Sequence, residues 1–219
     1  MKNIENLLLL FDEKKSDRIV GVDEAGRGPL AGPVIACAAI LKNYDESLIT
    51  INDSKKLTEK KREKLFNVIK EHFHIGIGIS TPDEIDDINI LNATFLAMTR
   101  AINDLKENFE NIDLENDYLT LVDGNFNIKN YNGKQEPIIK GDGHSLSIAA
   151  ASIIAKVTRD RIMSVEDKNY PAYGFEKHKG YGTKEHIKAL RENGPSPIHR
   201  KSFLKNILGP TNLTLDFSQ

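Results

Sequence analysis

Four acidic side chains stand where a fold can gather them: Asp23 and Glu24 side by side after one apolar run, Asp123 after a second, and Asp142 after a possible third. Runs of this kind read as strands, and α/β folds put chemistry at strand ends, where a rigid sheet holds a side chain that projects into a crevice. If those ends lie together, carboxylates crowd without counter-charge, and the remedies are raised pKa values or a bound cation. A hard dication with oxygen ligands, Mg²⁺ or Mn²⁺, suits such a set. Zinc does not, because neither a paired-cysteine nor an H-E-x-x-H spacing occurs. Plainer readings exist: Asp142 as a helix N-cap or turn residue, and Asp123 with Gly124 as a simple turn. Asp23 and Glu24 resist them, since both charges would lose solvent at the edge of a core. Asp160, in T-R-D-R, is expected to pair with Arg159, Arg161 or a neighbour on a helix surface.

The elements that must position these acids can be placed from the pattern. Ile19 to Val22 and Val34 to Leu41 predict a hairpin of core strands around the loop E-A-G-R-G-P-L-A-G-P. Thr58 to Phe73 predicts an amphipathic helix with Leu65, Phe66, Ile69 and Phe73 on one face. Ile75, Ile77 and Ile79 alternate with Gly76, Gly78 and Ser80, a strand with one side lacking bulk. Thr81-Pro82-Asp83-Glu84 is a capping box that starts a helix, and a second helical pattern runs from about Leu91 to Phe109. Tyr118 to Val122 and Pro137 to Lys140 predict two further strands, and Ser145 to Val165 a long helix whose Ala149, Ala150, Ala151 and Ser152 allow close packing on a sheet. After Tyr170-Pro171 the pattern becomes short basic helices, and the residues after Pro210 are expected to fray. The order implies a mixed sheet with helices packed on it. Adjacent strand residues start out facing opposite sides, so Asp23 and Glu24 can converge only through a local break in the strand at Glu24, which Gly26 would permit.

Composition narrows the class. The chain has 219 residues, 39% hydrophobic, and a net charge of −2, enough for a real core and no hint by itself of a polyanionic partner. The distribution says more. Residues 81–123 hold eleven acids against two basic residues, whereas 176–205 hold eight Lys or Arg against three acids, with three histidines besides. That segment can present a positive surface to a polyanion. Leu7 to Phe11 is too short for a signal segment or a membrane span, so a cytoplasmic protein is expected. The single cysteine, Cys37, reads as a small buried hydrophobe.

V-D-E-A-G-R-G-P-L-A-G-P-V at 22–34, N-D-S-K-K-L at 52–57, L-V-D-G at 121–124, K-G-D at 140–142, A-A-A-S-I-I-A-K-V-T-R-D at 149–160 and H-K-G-Y at 178–181 go further. In that order and spacing they resemble bacterial ribonuclease HII, the type 2 ribonuclease H, over about residues 19 to 205. The resemblance implies an α/β, ribonuclease H-like fold: a five-stranded mixed sheet flanked by helices, with a C-terminal helical segment. It implies one domain over 1–219, with a catalytic core at about 17–168 and a basic segment at about 169–210. It implies a metal-dependent endonuclease that hydrolyses the RNA strand of RNA–DNA hybrids and cuts 5′ of ribonucleotides embedded in duplex DNA, leaving 5′-phosphate and 3′-hydroxyl ends. The metals would be two Mg²⁺ or Mn²⁺ ions about 3.5 to 4 Å apart, held by Asp23, Glu24, Asp123 and Asp142. Gly26, Arg27 and Gly28 would read the ribose 2′-hydroxyl, and Tyr181 would stack on the deoxyribose that follows it. Arg27, Lys55, Lys56, Lys179 and Lys184 are candidate phosphate contacts, with solvation of a helix start as the plain alternative for Lys55 and Lys56.

The partners expected are an RNA–DNA hybrid and ribonucleotide-containing duplex DNA, with no membrane, and a monomer. Competing readings are a non-catalytic nucleic-acid-binding module of the same fold, against which all four acids argue, and a phosphatase or transferase for small phosphates, against which the basic tail with Tyr181 argues. The relative ribonuclease HIII is the weaker reading, since no extra N-terminal domain is seen. No glutamine-led aromatic box suggests docking to a sliding clamp.

Overall fold

The computed structural model of the chain describes residues 6–109 and 113–208. Five strands form one sheet: β1 (Ile19–Ala25), β2 (Val34–Leu41), β3 (Phe73–Ser80), β4 (Leu119–Asp123) and β5 (Gln135–Ile138), in the spatial order β3-β2-β1-β4-β5. β1, β2 and β3 are antiparallel neighbours, while β4 runs parallel to β1 and β5 parallel to β4. The C-terminal ends of β1, β4 and β5 therefore meet at one edge of the sheet, which is where the acids lie. The helices are α1 (Leu7–Lys15), α2 (Glu59–His72), α3 (Pro82–Asn108), α4 (Leu114–Asp117), α5 (Leu146–Asn169), α6 (Phe175–His178), α7 (Lys184–Asn193) and α8 (Lys201–Leu208). Among the described residues no helix is long and apolar enough to cross a membrane.

β2 is apolar nearly throughout because both its faces are covered. Val34, Ala36, Ala38 and Ile40 enter the core beneath α3, while Ile35, Cys37 and Ala39 enter the core beneath α5 and α2. Cys37 is a fully buried free thiol, as its surroundings in the sequence suggested. Glycines set how closely the helices approach. A Cβ at Gly76 or Gly78 would fall 2.1 or 1.9 Å from a carbonyl oxygen of α3, and one at Gly21 would fall 2.1 Å from the backbone of Ser147 in α5. The side of β3 that lacks bulk is thus the side α3 occupies.

Three boundaries differ from expectation. Phe73 does not continue α2; it takes extended angles (φ −126°, ψ 148°) and opens β3 opposite Leu41, yet remains in the same core as Leu65, Phe66 and Ile69. β1 runs on to Ala25, three residues past the apolar run. β5 stops at Ile138, because Lys140 adopts a left-handed φ of 55° and leads into the tight turn Gly141–Gly143. The capping box at Thr81 and Glu84 forms, and α3 bends at Asn89 (φ 65°), whose side chain accepts hydrogen bonds from the amides of Leu91 and Asn92 and so restarts the helix. The tail after Pro210 lies outside the described residues.

Candidate functional site

Asp23 and Glu24 do not converge through a break in β1. Its ladder to β2 is continuous from Gly21 opposite Ala39 to Ala25 opposite Ile35, so that expectation is corrected. What ends is the pairing on the other side, at Val22 opposite Val122. The tip of β1 thus reaches past its pairing with β4, and Asp23, Glu24 and Asp123 all line one open cleft of about 270 Å³. Asp142 joins from the turn after β5: its carboxylate lies 3.3 Å from the ammonium of Lys55, another residue of the cleft wall. Asp123 ties the two strand ends together, accepting a 2.6 Å hydrogen bond from the Gly141 amide, and Asp142 lies inside the tight turn that follows, as its turn reading expected. Asp142 does not cap α5, a role taken by Ser145.

The electrostatics are those of an under-compensated cluster. Burial pushes the Asp23 carboxyl well above the usual carboxylate range, and the neighbouring Glu24 and Asp123 push it further. Hydrogen bonds from Ser152 and the Glu24 amide, the latter 2.6 Å, offset only part of this. Glu24 is raised by burial and Asp123, although Arg27 at 3.5 Å opposes the shift. Asp123 is raised by burial and by Asp142. Among the described residues, no three such side chains stand close enough to ligate one ion as they are. The fit to a dication therefore rests on the donor set: the carboxylates of Asp23, Glu24 and Asp123 facing one cleft, each disfavoured as a bare anion, with Asp142 beside Lys55 at its border and with exposed Lys55 and half-exposed Arg27 as counter-charges.

Opposite the acids, the loop from Gly26 to Pro33 is held by two buried guanidiniums. Arg159 donates to the carbonyls of Pro33, Ala31 and Lys179 at 2.9–3.0 Å, and Arg200 to those of Gly26, Arg27 and Gly32 at 2.6–3.0 Å. Neither has a carboxylate partner among its described hydrogen bonds. Burial lowers their pKa values to about 10 for Arg159 and about 9 for Arg200, where Arg159 itself contributes, so both stay charged at neutral pH. Gly26 is required here: its φ is 103°, and a Cβ would lie 2.2 Å from the Arg159 Nε. Gly28 has room, since a Cβ there would meet only the Tyr181 ring, at 3.7 Å. Backbone bonds complete the clamp, Leu30 to Gly180 at 2.8 Å, Gly32 to Ile198 at 2.8 Å and Arg200 to Leu30 at 2.9 Å. Tyr181, half-exposed, closes the far side of the cleft.

The lysines divide. Lys55 borders the cleft, while Lys56 sits outside it, 3.9 Å from Asp53. Lys179 is turned away, with its Nζ 3.0 Å from Ser164 Oγ, and Lys184 opens α7 beside a separate groove with Lys188 and Arg191. Asp160 pairs with a neighbour on its own helix as expected, Lys156 four residues before it (2.6 Å), and also with Arg62 (4.0 Å), but it does so buried and not on the surface. Cleft residues that the sequence reading did not single out are Ser54, Arg62, Lys156 and Arg159. For Arg159 a signal existed: Ser152, Ala155, Arg159 and Met163 recur at helical spacing along the buried face of α5.

A ribonuclease HII family model matches residues 20–206. The chain is 60% identical over 206 residues to "Ribonuclease HII" of Fusobacterium nucleatum subsp. nucleatum, with 94% of each protein covered. Its fold is similar to the crystal structure of the ribonuclease H2 from Pyrococcus horikoshii OT3, at TM-score 0.66 and 28% identity over 87% of this chain and 97% of that one. It is also similar in fold to Bst-RNase HIII in complex with Mn²⁺, at TM-score 0.62 and 17% identity over 81% of this chain and 63% of that one.

Proposed function

The chain belongs to the ribonuclease HII family and is a metal-dependent endoribonuclease of the ribonuclease H class, and on that premise we propose how its cleft works. The enzyme cuts the RNA strand of RNA–DNA hybrids, and cuts duplex DNA on the 5′ side of an embedded ribonucleotide. Asp23, Glu24, Asp123 and Asp142 hold two divalent cations, Mg²⁺ or Mn²⁺. When bound, such a pair supplies an activated water and stabilises the leaving 3′-oxygen in an in-line displacement. The observation that carries this reading is the convergence of raised carboxyls from the ends of β1 and β4 on one cleft.

The chain's own groups do the rest. Asp123 and the Gly141 amide keep the ends of β4 and β5 at a fixed separation, so the acids do not reorganise as charge develops. The 26–28 backbone, bared of side chains at Gly26 and Gly28 and locked by Arg200, approaches the sugar and senses its 2′-hydroxyl. Tyr181 offers its ring face to the next sugar. Arg27 and Lys55, paired with Glu24 and Asp142 at the rim of the cleft, would contact backbone phosphates there. Lys179 and Lys184 are set apart from that role by their positions. The core at about 17–168 and the segment at about 169–210 are read as one working unit in a monomer, because the loop that tests the sugar belongs to the first and is clamped from both, by Arg159 and by Arg200.

The test is a duplex DNA with one embedded ribonucleotide, incubated with Mg²⁺ or Mn²⁺ and with wild type or Asp123→Asn. Wild type should cut 5′ of the ribonucleotide and the variant should not. Intact substrate with wild type, or equal cleavage by the variant, excludes the reading.

A further inference from the structure

Beneath Tyr181 lie three histidines: His178, which opens the H-K-G-Y motif, and His186 and His199, which in the sequence are only part of a basic tail. Their rings are packed together and against Phe175: His178 and His186 are stacked with centroids 4.4 Å apart, and His186 and His199 are 5.1 Å apart. His186 and His199 are almost wholly buried. Every ring nitrogen has a partner. His186 Nδ1 lies 2.9 Å from the carbonyl oxygen of Tyr181, His186 Nε2 lies 2.9 Å from His199 Nε2, and His199 Nδ1 lies 2.9 Å from the Ser196 amide and 2.7 Å from its hydroxyl. His178 Nε2 lies 2.8 Å from the Tyr173 carbonyl oxygen, and its Nδ1 3.2 Å from the Gly180 amide.

The backbone groups at the ends of these chains fix where the protons are. A carbonyl only accepts, so His186 carries its proton on Nδ1 and must accept on Nε2. His199 therefore donates from Nε2 and accepts at Nδ1 from the Ser196 amide, which can only donate. His178, by the same logic, is protonated on Nε2. One arrangement of three neutral rings satisfies every group, and the chain ends on the backbone of Tyr181, with no site left to receive another proton.

We propose that this histidine chain is a positioning device for Tyr181, holding its carbonyl so that the ring stands over the cleft beside Gly28. The inference rests on the reading of Tyr181 as a substrate contact. The Tyr181 carbonyl has two donors, the Thr183 amide at 2.8 Å and His186 Nδ1; an apolar cluster would fill the same space but leave only the first, and with it a looser hold on the ring. His178 braces the same turn from the other side, through the amide of Gly180.

Steady-state cleavage of the single-ribonucleotide duplex by wild type, His186→Leu, His186→Asn, Tyr181→Ala and Tyr181→Ala/His186→Leu tests this. His186→Leu removes one of the two donors to the Tyr181 carbonyl, the side-chain one, and should raise KM about fivefold to tenfold with little change in kcat. The amide of His186→Asn stands where Nδ1–H stood, and should restore most of the loss. In the Tyr181→Ala background, His186→Leu should add nothing further. An unchanged KM in His186→Leu, or an equal rise in both backgrounds, overturns the proposal. If Tyr181→Ala itself leaves KM unchanged, the reading of Tyr181 fails, and the positioning role falls with it. Imidazole nitrogen shifts measured by NMR at neutral pH give a readout independent of activity. They should show His186 protonated on Nδ1 and His178 and His199 on Nε2; a charged ring or another tautomer overturns the proposal. Should His186→Leu fail to fold, His186→Asn and the nitrogen shifts decide.

Discussion

The acids at the strand ends and the arginines behind the 26–33 loop are both buried charges, satisfied to very different degrees. Asp23, Glu24 and Asp123 press on one another and are pushed toward the neutral form. Arg159 and Arg200 are as deeply buried, yet each directs its donors at three backbone carbonyls. The histidines beneath Tyr181 follow the second pattern, with every ring nitrogen used. A site that must take up cations keeps a surplus of unmet negative charge, and a scaffold that must hold a shape keeps none. The wall proposed to do chemistry is strained in charge, and the wall proposed to read the substrate is quiet.

That contrast is sharpest in Asp123→Asn. Cleavage should fall by roughly a thousandfold or more, the scale expected for a group acting in the transition state. Metal-free thermal stability should rise, because one repelling charge is gone; about 1 kcal/mol would lift Tm by about 2 to 4 °C in a chain of this size. A fall in Tm would mean that the acids are not in conflict.

Arg200→Met should do the reverse in stability. It leaves the carbonyls of Gly26, Arg27 and Gly32 without their donor, at a cost of about 3 kcal/mol. Arg200→Lys should recover only part, since an ammonium lacks the planar fork that reaches three acceptors. A Tm for Arg200→Met within a degree or so of wild type would remove the contrast.

The two walls should also differ in the sign of their pH response. Burial holds His186 and His199 down to about 4 and about 3, from an ordinary 6.5, with His178 adding to the depression and Tyr173 and Phe175 packed against the rings. Rings kept neutral in this way stabilise the fold fully above pH 6.5 and progressively less as pH falls through the window down to those values. The loss is on the order of 2 kcal/mol per ring by about pH 5. The raised carboxyls act oppositely: the fold favours their protonated form, so their contribution is present at low pH and is lost as pH rises. Thermal melts across pH should therefore show a shallower acid limb in His186→Leu/His199→Leu than in wild type; an unchanged limb would exclude the histidines as its source.

The smallest effect separates the two glycines. Gly28→Ala should move stability by no more than about 0.5 kcal/mol, because a methyl meets only the Tyr181 ring at 3.7 Å, yet it should slow cleavage at the ribonucleotide. Gly26→Ala should destabilise outright, given a φ of 103° and Arg159 at 2.2 Å. Normal cleavage by Gly28→Ala would detach the loop from sugar recognition.

Much of the acidic wall was legible in the sequence, because apolar runs announce strands and acids at their ends stand out. V-I-A-C-A-A-I-L gave β2 its full extent, since a strand buried on both faces has no polar residue to blur its limits. How Asp23 and Glu24 meet was not legible. Alternation along a strand is written in the sequence, but the distance by which one strand overhangs its neighbour is not. Phe73 was assigned to the helix because helical spacing continues through it, and pairing with Leu41 overrode that preference. Arg159 and Arg200 were the least visible, since T-R-D-R and I-H-R-K read as surface charge and the acceptors that justify burial lie far away along the chain.

That distance has a kinetic meaning. The carbonyls of Gly26 and Arg27 are claimed by a side chain 174 and 173 positions later, so the loop cannot reach its final shape while residue 200 is still unplaced. The sheet that carries most of the acids closes over shorter spans. During folding, the capacity to gather cations should therefore arise before the capacity to discriminate a sugar, and a pulse-labelling experiment should find the amides of β1 and β2 protected ahead of those at Leu30 and Gly32.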